Sequence, residues 1–199
     1  AGSTHSSTNA TQPADPPLAA DLASATTAPT PTSPEITTVL AMATAFQAAD
    51  RRVGGGALYG QVVGYLNAAL GPRLLGSTDA GGELFTAAAA LTGIAGWMAH
   101  DSGRDPWAKG HFASAYRLAV AARHNALTAN ACASMSHLAT QLGQPDDAVR
   151  IAAAGLSRAG DADGCDQLQA RLHAMRARGS AAGWIALPMR WRSTVTCPR

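Results

Sequence analysis

Five histidines in the body of this chain, three cysteines and two closely spaced serines are the side chains that most often carry chemistry, and their spacing argues against it. His100, His111, His124, His137 and His173 include no pair four residues apart, the spacing that puts two imidazoles on one helical face for a metal ion. Cys132 and His137 are five apart and therefore point to different faces. Cys132, Cys165 and Cys197 are widely separated and form no CxxC, so neither a zinc site nor a disulfide framework follows, and a reducing cytoplasm suits them. Ser134 and Ser136 lack the strand–turn–helix setting of a nucleophile elbow. Gly54-Gly55-Gly56 follows no strand and has no GK[ST] ending, so it reads as a hinge or helix stop and not as a phosphate loop. The chain therefore reads as a non-enzyme with no cofactor and no metal. What remains are groups that bind: Trp97, His100, Asp101, Asn130, His137, Gln141, Arg171 and Arg178.

The elements that must position them are written twice. At an offset of 40 residues Gly103 aligns with Gly143, Ala108 with Ala148, Phe112 with Ala152, and Ala115 with Gly155. A glycine, four residues, an alanine and a small residue seven further on is the pattern of the tetratricopeptide unit, in which small side chains let two antiparallel helices approach and the glycine ends the first. Composition agrees: apolar residues make up 47% and aromatics only 5%, which favours closely packed helices over a β-sandwich. The expected fold is all-α, a tetratricopeptide-like stack of antiparallel hairpins with about seven helices. In such a stack the first helix of each hairpin lines the concave surface. Positions six, three and two before the helix-ending glycine then face inward: Trp97, His100 and Asp101 in repeat one, and His137, Thr140 and Gln141 in repeat two. Asn130 lies upstream on the same helix, and Arg171 and Arg178 fall on the corresponding face of the next one. Trp97 and His137, being 40 apart, are expected side by side, with Arg178 next to them. A strip of this kind suits a peptide, a protein or a small acidic signal molecule.

Along the chain, residues 1–33 hold eight Ala, seven Thr, five Ser and five Pro and read as a disordered linker. Ser33-Pro34-Glu35 is a helix start, and Ile36, Val39, Leu40, Ala43 and Phe46 recur at helical spacing up to the glycines at 54–56. Further helices are expected over 57–70, ending near Gly71-Pro72, and over 79–101, 105–122, 125–142, 145–159 and 164–180, the last containing Leu168, Leu172, Met175 and Ala177. The helical-repeat domain is thus set at 34–183. Residues 184–199 read as an irregular, arginine-rich tail broken by Pro188 and Pro198.

A net charge of +2 conceals three regions: −2 over 1–33, −2 over 34–166, and +6 over 167–199. The folded body is not basic, which argues against a nucleic-acid groove on it. The arginine-rich end of the chain, where Arg171, Arg176, Arg178, Arg190 and Arg192 accompany Trp184 and Trp191, has a composition that also suits nucleic acid or an anionic membrane, although a solvated end is the plainer reading. No apolar run reaches the roughly 18 residues of a membrane span, and the first residues do not form a signal peptide.

The strings FQAADRRVGGG (46–56), LTGIAGWMAHDSGR (91–104), NACASMSHLATQLGQPDDAVRIAAAGL (130–156) and RLHAMRARG (171–179) resemble the C-terminal tetratricopeptide-like halves of actinobacterial helix-turn-helix regulators of the XRE type. The similarity covers residues 34 to about 180. It implies an effector half that senses a signal or mediates assembly, joined by a Pro/Ala/Thr-rich linker to a DNA-binding domain. No segment of this sequence reads as a helix-turn-helix, so contact with DNA is expected only through a domain absent from it. Assembly as a homo-oligomer is compatible with this reading. The alternative is a free-standing tetratricopeptide adaptor for a protein or peptide.

Overall fold

Glycine and proline punctuate this alanine-rich sequence into helices of similar length, and the turns between them repeat. A computed structural model describes residues 34–53, 55–76, 82–160 and 165–186; the stretches 1–33 and 187–199, with the expected linker and most of the arginine-rich tail, lie outside them. Helix α1 is Pro34–Val53. Helix α2 is Gly55–Tyr65, prolonged through a π-helical turn at Leu66–Leu70 and a last α-helical stretch at Gly71–Gly76. Then come α3 (Gly82–Asp101), α4 (Asp105–Ala121), α5 (Asn125–Gln141), α6 (Pro145–Ala159) and α7 (Asp166–Ala186). Among the described residues there is no strand, and the seven helices form an all-α stack of adjacent antiparallel pairs.

The 40-residue repeat is visible in the turn chemistry. Gly103 and Gly143 adopt φ of 71° and 69°, the left-handed region that glycine enters without strain. Gly103 N–H donates to the His100 carbonyl at 2.8 Å and Arg104 N–H to that of Ala99 at 2.8 Å; Gly143 to Thr140 and Gln144 to Ala139 repeat this at 3.2 and 2.9 Å. Midway between them, the α4–α5 turn has the same pair of bonds, Arg123 to Val120 and His124 to Ala119, both at 3.0 Å, with Arg123 at φ 53°. A Cβ in that region costs about 1–2 kcal/mol, partly offset by the lower entropy loss of a non-glycine residue. Arg123→Gly is therefore expected to raise the unfolding free energy by about 0.5–1 kcal/mol in urea melts, and a loss of stability would show that the arginine side chain anchors the turn.

Small residues set the interhelical distance, but the two hairpins solve it differently. Ala108, Ala115 and Ala148 are buried at the crossings, as their place in the repeat requires. In the first hairpin Phe112 fills the interface, and Gly96 opposite has no room for a Cβ, which would overlap the Phe112 ring. Forty residues on, Ala152 replaces the phenylalanine and Ser136 the glycine, with Ser136 Oγ donating to the Ala148 carbonyl at 2.8 Å across the hairpin. Helices α1 and α2 pack on α3, and α7 packs on α6 and α5. As a result α3 and α5 are buried on nearly every side, where an open concave face was expected.

Four details differ from the sequence reading. Gly71-Pro72 does not end α2: the helix widens to a π turn just ahead of Pro72, with Gly71 N–H bonded back to the Leu66 carbonyl, and so accommodates a residue that cannot donate. On α1 the buried row is Val39, Ala43 and Gln47, leaving Leu40 exposed. On α7 Gly179 is buried while Ala177 faces solvent, because α7 meets the Val149 and Ala148 side chains at Gly179. Helix α7 also continues to Ala186, six residues past its expected end near 180 and three past the domain boundary set at 183, since no helix-breaking residue intervenes before Pro188.

Candidate functional site

Three successive first helices bring their polar side chains to one place. Trp97 on α3 has its ring centroid 5.2 Å from that of His137 on α5, 5.9 Å from His100 and 5.3 Å from Phe112 on α4. The two imidazoles, His100 and His137, meet edge to face at 5.5 Å. From α7, the Arg171 guanidinium lies 5.8 Å from the Trp97 ring centre, and its Nη1 donates to Asn130 Oδ1 at 3.0 Å. Asn130 is 4% exposed and His137 9%, so these residues fill the space between the helices and do not line an open channel. Among the described residues the Trp97 indole Nε1, itself buried, has no hydrogen-bond acceptor.

The structure thus gathers Trp97, His100, Asn130, His137 and Arg171. Arg171, and not Arg178, is the arginine beside Trp97; Arg178 is seven residues, about two turns and 10 Å, further along α7. Gln141 is exposed at the end of α5 and makes no hydrogen bond with the cluster among the described residues. Asp101 stands at its edge. Partial burial raises the Asp101 carboxyl above its usual range, and the neighbouring His100 opposes the shift. His100 itself donates from Nδ1 to Asp105 Oδ1 at 2.7 Å, which ties the end of α3 to the start of α4 and fixes the imidazole tautomer.

A second cluster went unanticipated. Tyr59 of α2 stacks on Trp107 of α4 at 5.6 Å and 23°, and the Arg104 guanidinium sits 5.3 Å from both ring centres. The Tyr59 hydroxyl lies 2.8 Å from His111 Nε2. Arg104, Trp107 and His111 are spaced three and four apart, a helical stripe visible in the sequence, but nothing local says that Tyr59, 52 residues before His111, completes it. Trp107 remains 55% exposed, so this cluster clamps α2 to α4 while presenting one aromatic surface outward.

Burial lowers the His111 pKa from its ordinary value near 6.5, so the imidazole is neutral in the folded state at pH 7, with Nε2 hydrogen-bonded to the Tyr59 hydroxyl. The unfolded chain then binds this proton more readily than the folded one. The contribution of His111 to stability is complete above pH 6.5 and declines as pH falls from there through the lowered folded value. Urea melts between pH 7 and 5 should show that loss, and His111→Gln should remove its share of the pH dependence. Burial also raises the Cys132 thiol to about 11, which leaves it protonated and unreactive at neutral pH.

Other polar side chains have structural duties. His124 Nδ1 accepts from Leu127 N–H at 3.2 Å and caps α5. Among the described residues no group of three His, Cys, Asp or Glu side chains converges to hold a metal ion, and no helix is long and apolar enough to cross a membrane. No protein-family model matches the chain, and no curated protein or solved structure matches it.

Proposed function

We propose that this chain is a helical-repeat binding module that takes a ligand or partner at the Trp97–His137–Arg171 cluster, and that it serves as the sensory or interaction half of a cytoplasmic transcriptional regulator. One observation carries the binding reading: an indole, two imidazoles, an amide and a guanidinium from α3, α5 and α7 meet around a buried indole N–H that has no acceptor among the described residues. A purely structural core would place apolar side chains there at lower desolvation cost. The regulator half of the proposal rests on the resemblance of the quoted strings, and DNA contact is assigned to a separate domain.

Screening small metabolites and short peptides by thermal shift tests the binding reading. A stabilising ligand should lose most of its effect in Trp97→Ala and Arg171→Ala, because truncating an aromatic or arginine anchor typically costs about 2 kcal/mol or more of binding. Arg117→Ala and Arg150→Ala, at exposed positions on α4 and α6, should leave it intact. The reverse pattern places the working surface elsewhere. For the regulator half, this chain alone should show no sequence-selective mobility shift; selective binding that survives about 200 mM salt would overturn its assignment as an effector half.

A further inference from the structure

A stack of helices stays dispersed when its terminal elements are polar on the outside. Helix α7, at one end of the described stack, conforms, with Asp166, His173 and Arg176 exposed. The α1–α2 pair at the other end does not. Between Ile36 and Pro72 the only charged residues are Asp50, Arg51 and Arg52, beside the turn that joins the two helices. Both helices bury one side against α3, and the side turned away exposes Leu40, Ala41, Ala45 and Ala48 on α1 and Ala57 and Ala68 on α2. The polar side chains in this face, Gln61 and Asn67 among them, are neutral, and Thr44 already donates to the Leu40 carbonyl at 3.0 Å, so it can be covered without orphaning its hydroxyl. Exposed faces elsewhere carry charge: Lys109 and Arg117 on α4, Asp147 and Arg150 on α6. We propose that the outer face of α1 and α2 is an interface between two copies of this chain, the helix pair of one lying across that of the other about a twofold axis.

Two glycines sharpen the assignment. Gly60 and Gly64 lie four apart within α2, both exposed, and a Cβ at either would meet nothing within 4 Å. Glycine inside a helix costs stability relative to alanine, and at Gly96 and Gly155 the packing of this chain supplies the reason, since a Cβ there would collide with a neighbour. Gly93 and Gly110 are open as well, but each stands singly. At Gly60 and Gly64 no neighbour among the described residues uses the gap, whereas a second helix crossing there does, because the missing side chains let its backbone come close. Size selects the occupant. Two helices about 30 Å long and about 10 Å apart present about 600 Å², so pairing two such faces removes about 1,200 Å² from water, the lower limit of a specific interface. One association of this kind covers both uncovered faces at once, as a twofold dimer requires. An uncharged face, moreover, has nothing with which to select an oppositely charged partner.

Sedimentation velocity of the full chain from about 1 to 300 μM tests the interface, and a shift from one chain mass to two is expected within that range. Gly64→Glu places a charge in the interface without a partner and should weaken the dimerisation midpoint by about a hundredfold or more, which leaves a monomer throughout. Glutamate is also the better helix former, so urea melts at the lowest concentration should show a midpoint no lower than that of the parent chain. If Gly64→Glu loses its helical circular dichroism, Ala41→Glu takes its place. Arg117→Glu and Arg150→Glu, on the charged faces of α4 and α6, should keep the dimer. A parent chain that stays monomeric across the range overturns the proposal, whatever else covers the face. So does a dimer that survives both Gly64→Glu and Ala41→Glu, or one that Arg117→Glu dissociates.

Discussion

Phe112→Ala is expected to lower the unfolding free energy by about 3–5 kcal/mol, the range for emptying a buried phenylalanine site. The ring is 1% exposed, lies edge to face against Trp97, and occupies the space that Gly96 leaves open. Alanine there removes the apolar transfer energy and leaves a cavity that two helices joined by a three-residue turn can close only in part. The second hairpin shows how the space can be filled differently, with Ser136 and Ala152 at the matching positions. Gly96→Ser alone should be destabilising, because its Cβ collides with the ring, whereas Gly96→Ser with Phe112→Ala should lose less than the two single changes added together. Urea melts followed by circular dichroism provide all four corners of that cycle. A loss below about 1 kcal/mol for Phe112→Ala would mean that α3 and α4 collapse onto each other and that the ring is not what holds them apart.

Leu172→Ala should cost about 2–5 kcal/mol in the region it holds together. Leu172 is wholly buried in a cluster with Ala129, Cys132, Ala133, Ala159 and Leu168, and it faces Gly155, where an added Cβ would fall 2.6 Å from its Cδ2 and 2.9 Å from Cys132 Cβ. That close fit docks α7 on α5 and α6. Because a stacked helix interacts mainly with its neighbours, the loss should appear first as undocking of α7 and not as collapse of the whole chain. The adjacent residue, Arg171, should leave Trp97 with it, so tryptophan emission should change at lower urea than the helical signal of the body. Coincident transitions would show that α7 unfolds with everything else.

What could be read from the sequence, and what could not, follows from the range of the interactions. Gly103 and Gly143 announce their turns because only glycine enters that backbone region without strain; Arg123 occupies the same conformation 20 residues from each, and nothing in an arginine signals it. The 40-residue match places Trp97 beside His137, since equivalent positions of stacked hairpins are neighbours. Periodicity assigns Arg171 and Arg178 to one face of α7 but not to a height along it, and the height is set by Leu172 meeting Gly155. Likewise, a period identifies the inward face of α5 without revealing what covers Asn130 and His137. The Tyr59–Trp107–His111 clamp joins segments about 50 residues apart and has no local signature beyond the stripe on α4.

The way α1 and α2 rest on α3 bears on how the chain is made. Hairpins α3–α4 and α5–α6 each have their partner within one short turn, so they can pair as soon as the second helix is synthesised, and contacts so close in sequence form quickly. Helices α1 and α2 are made earlier, yet their apolar residues, Val39, Ala43, Tyr59 and Val62, share a core with residues of α3 and wait for it. During vectorial synthesis the apolar faces of α1 and α2 therefore stay uncovered until α3 emerges, and that interval of exposure to aggregation or to a chaperone ends when α3 clears the ribosome.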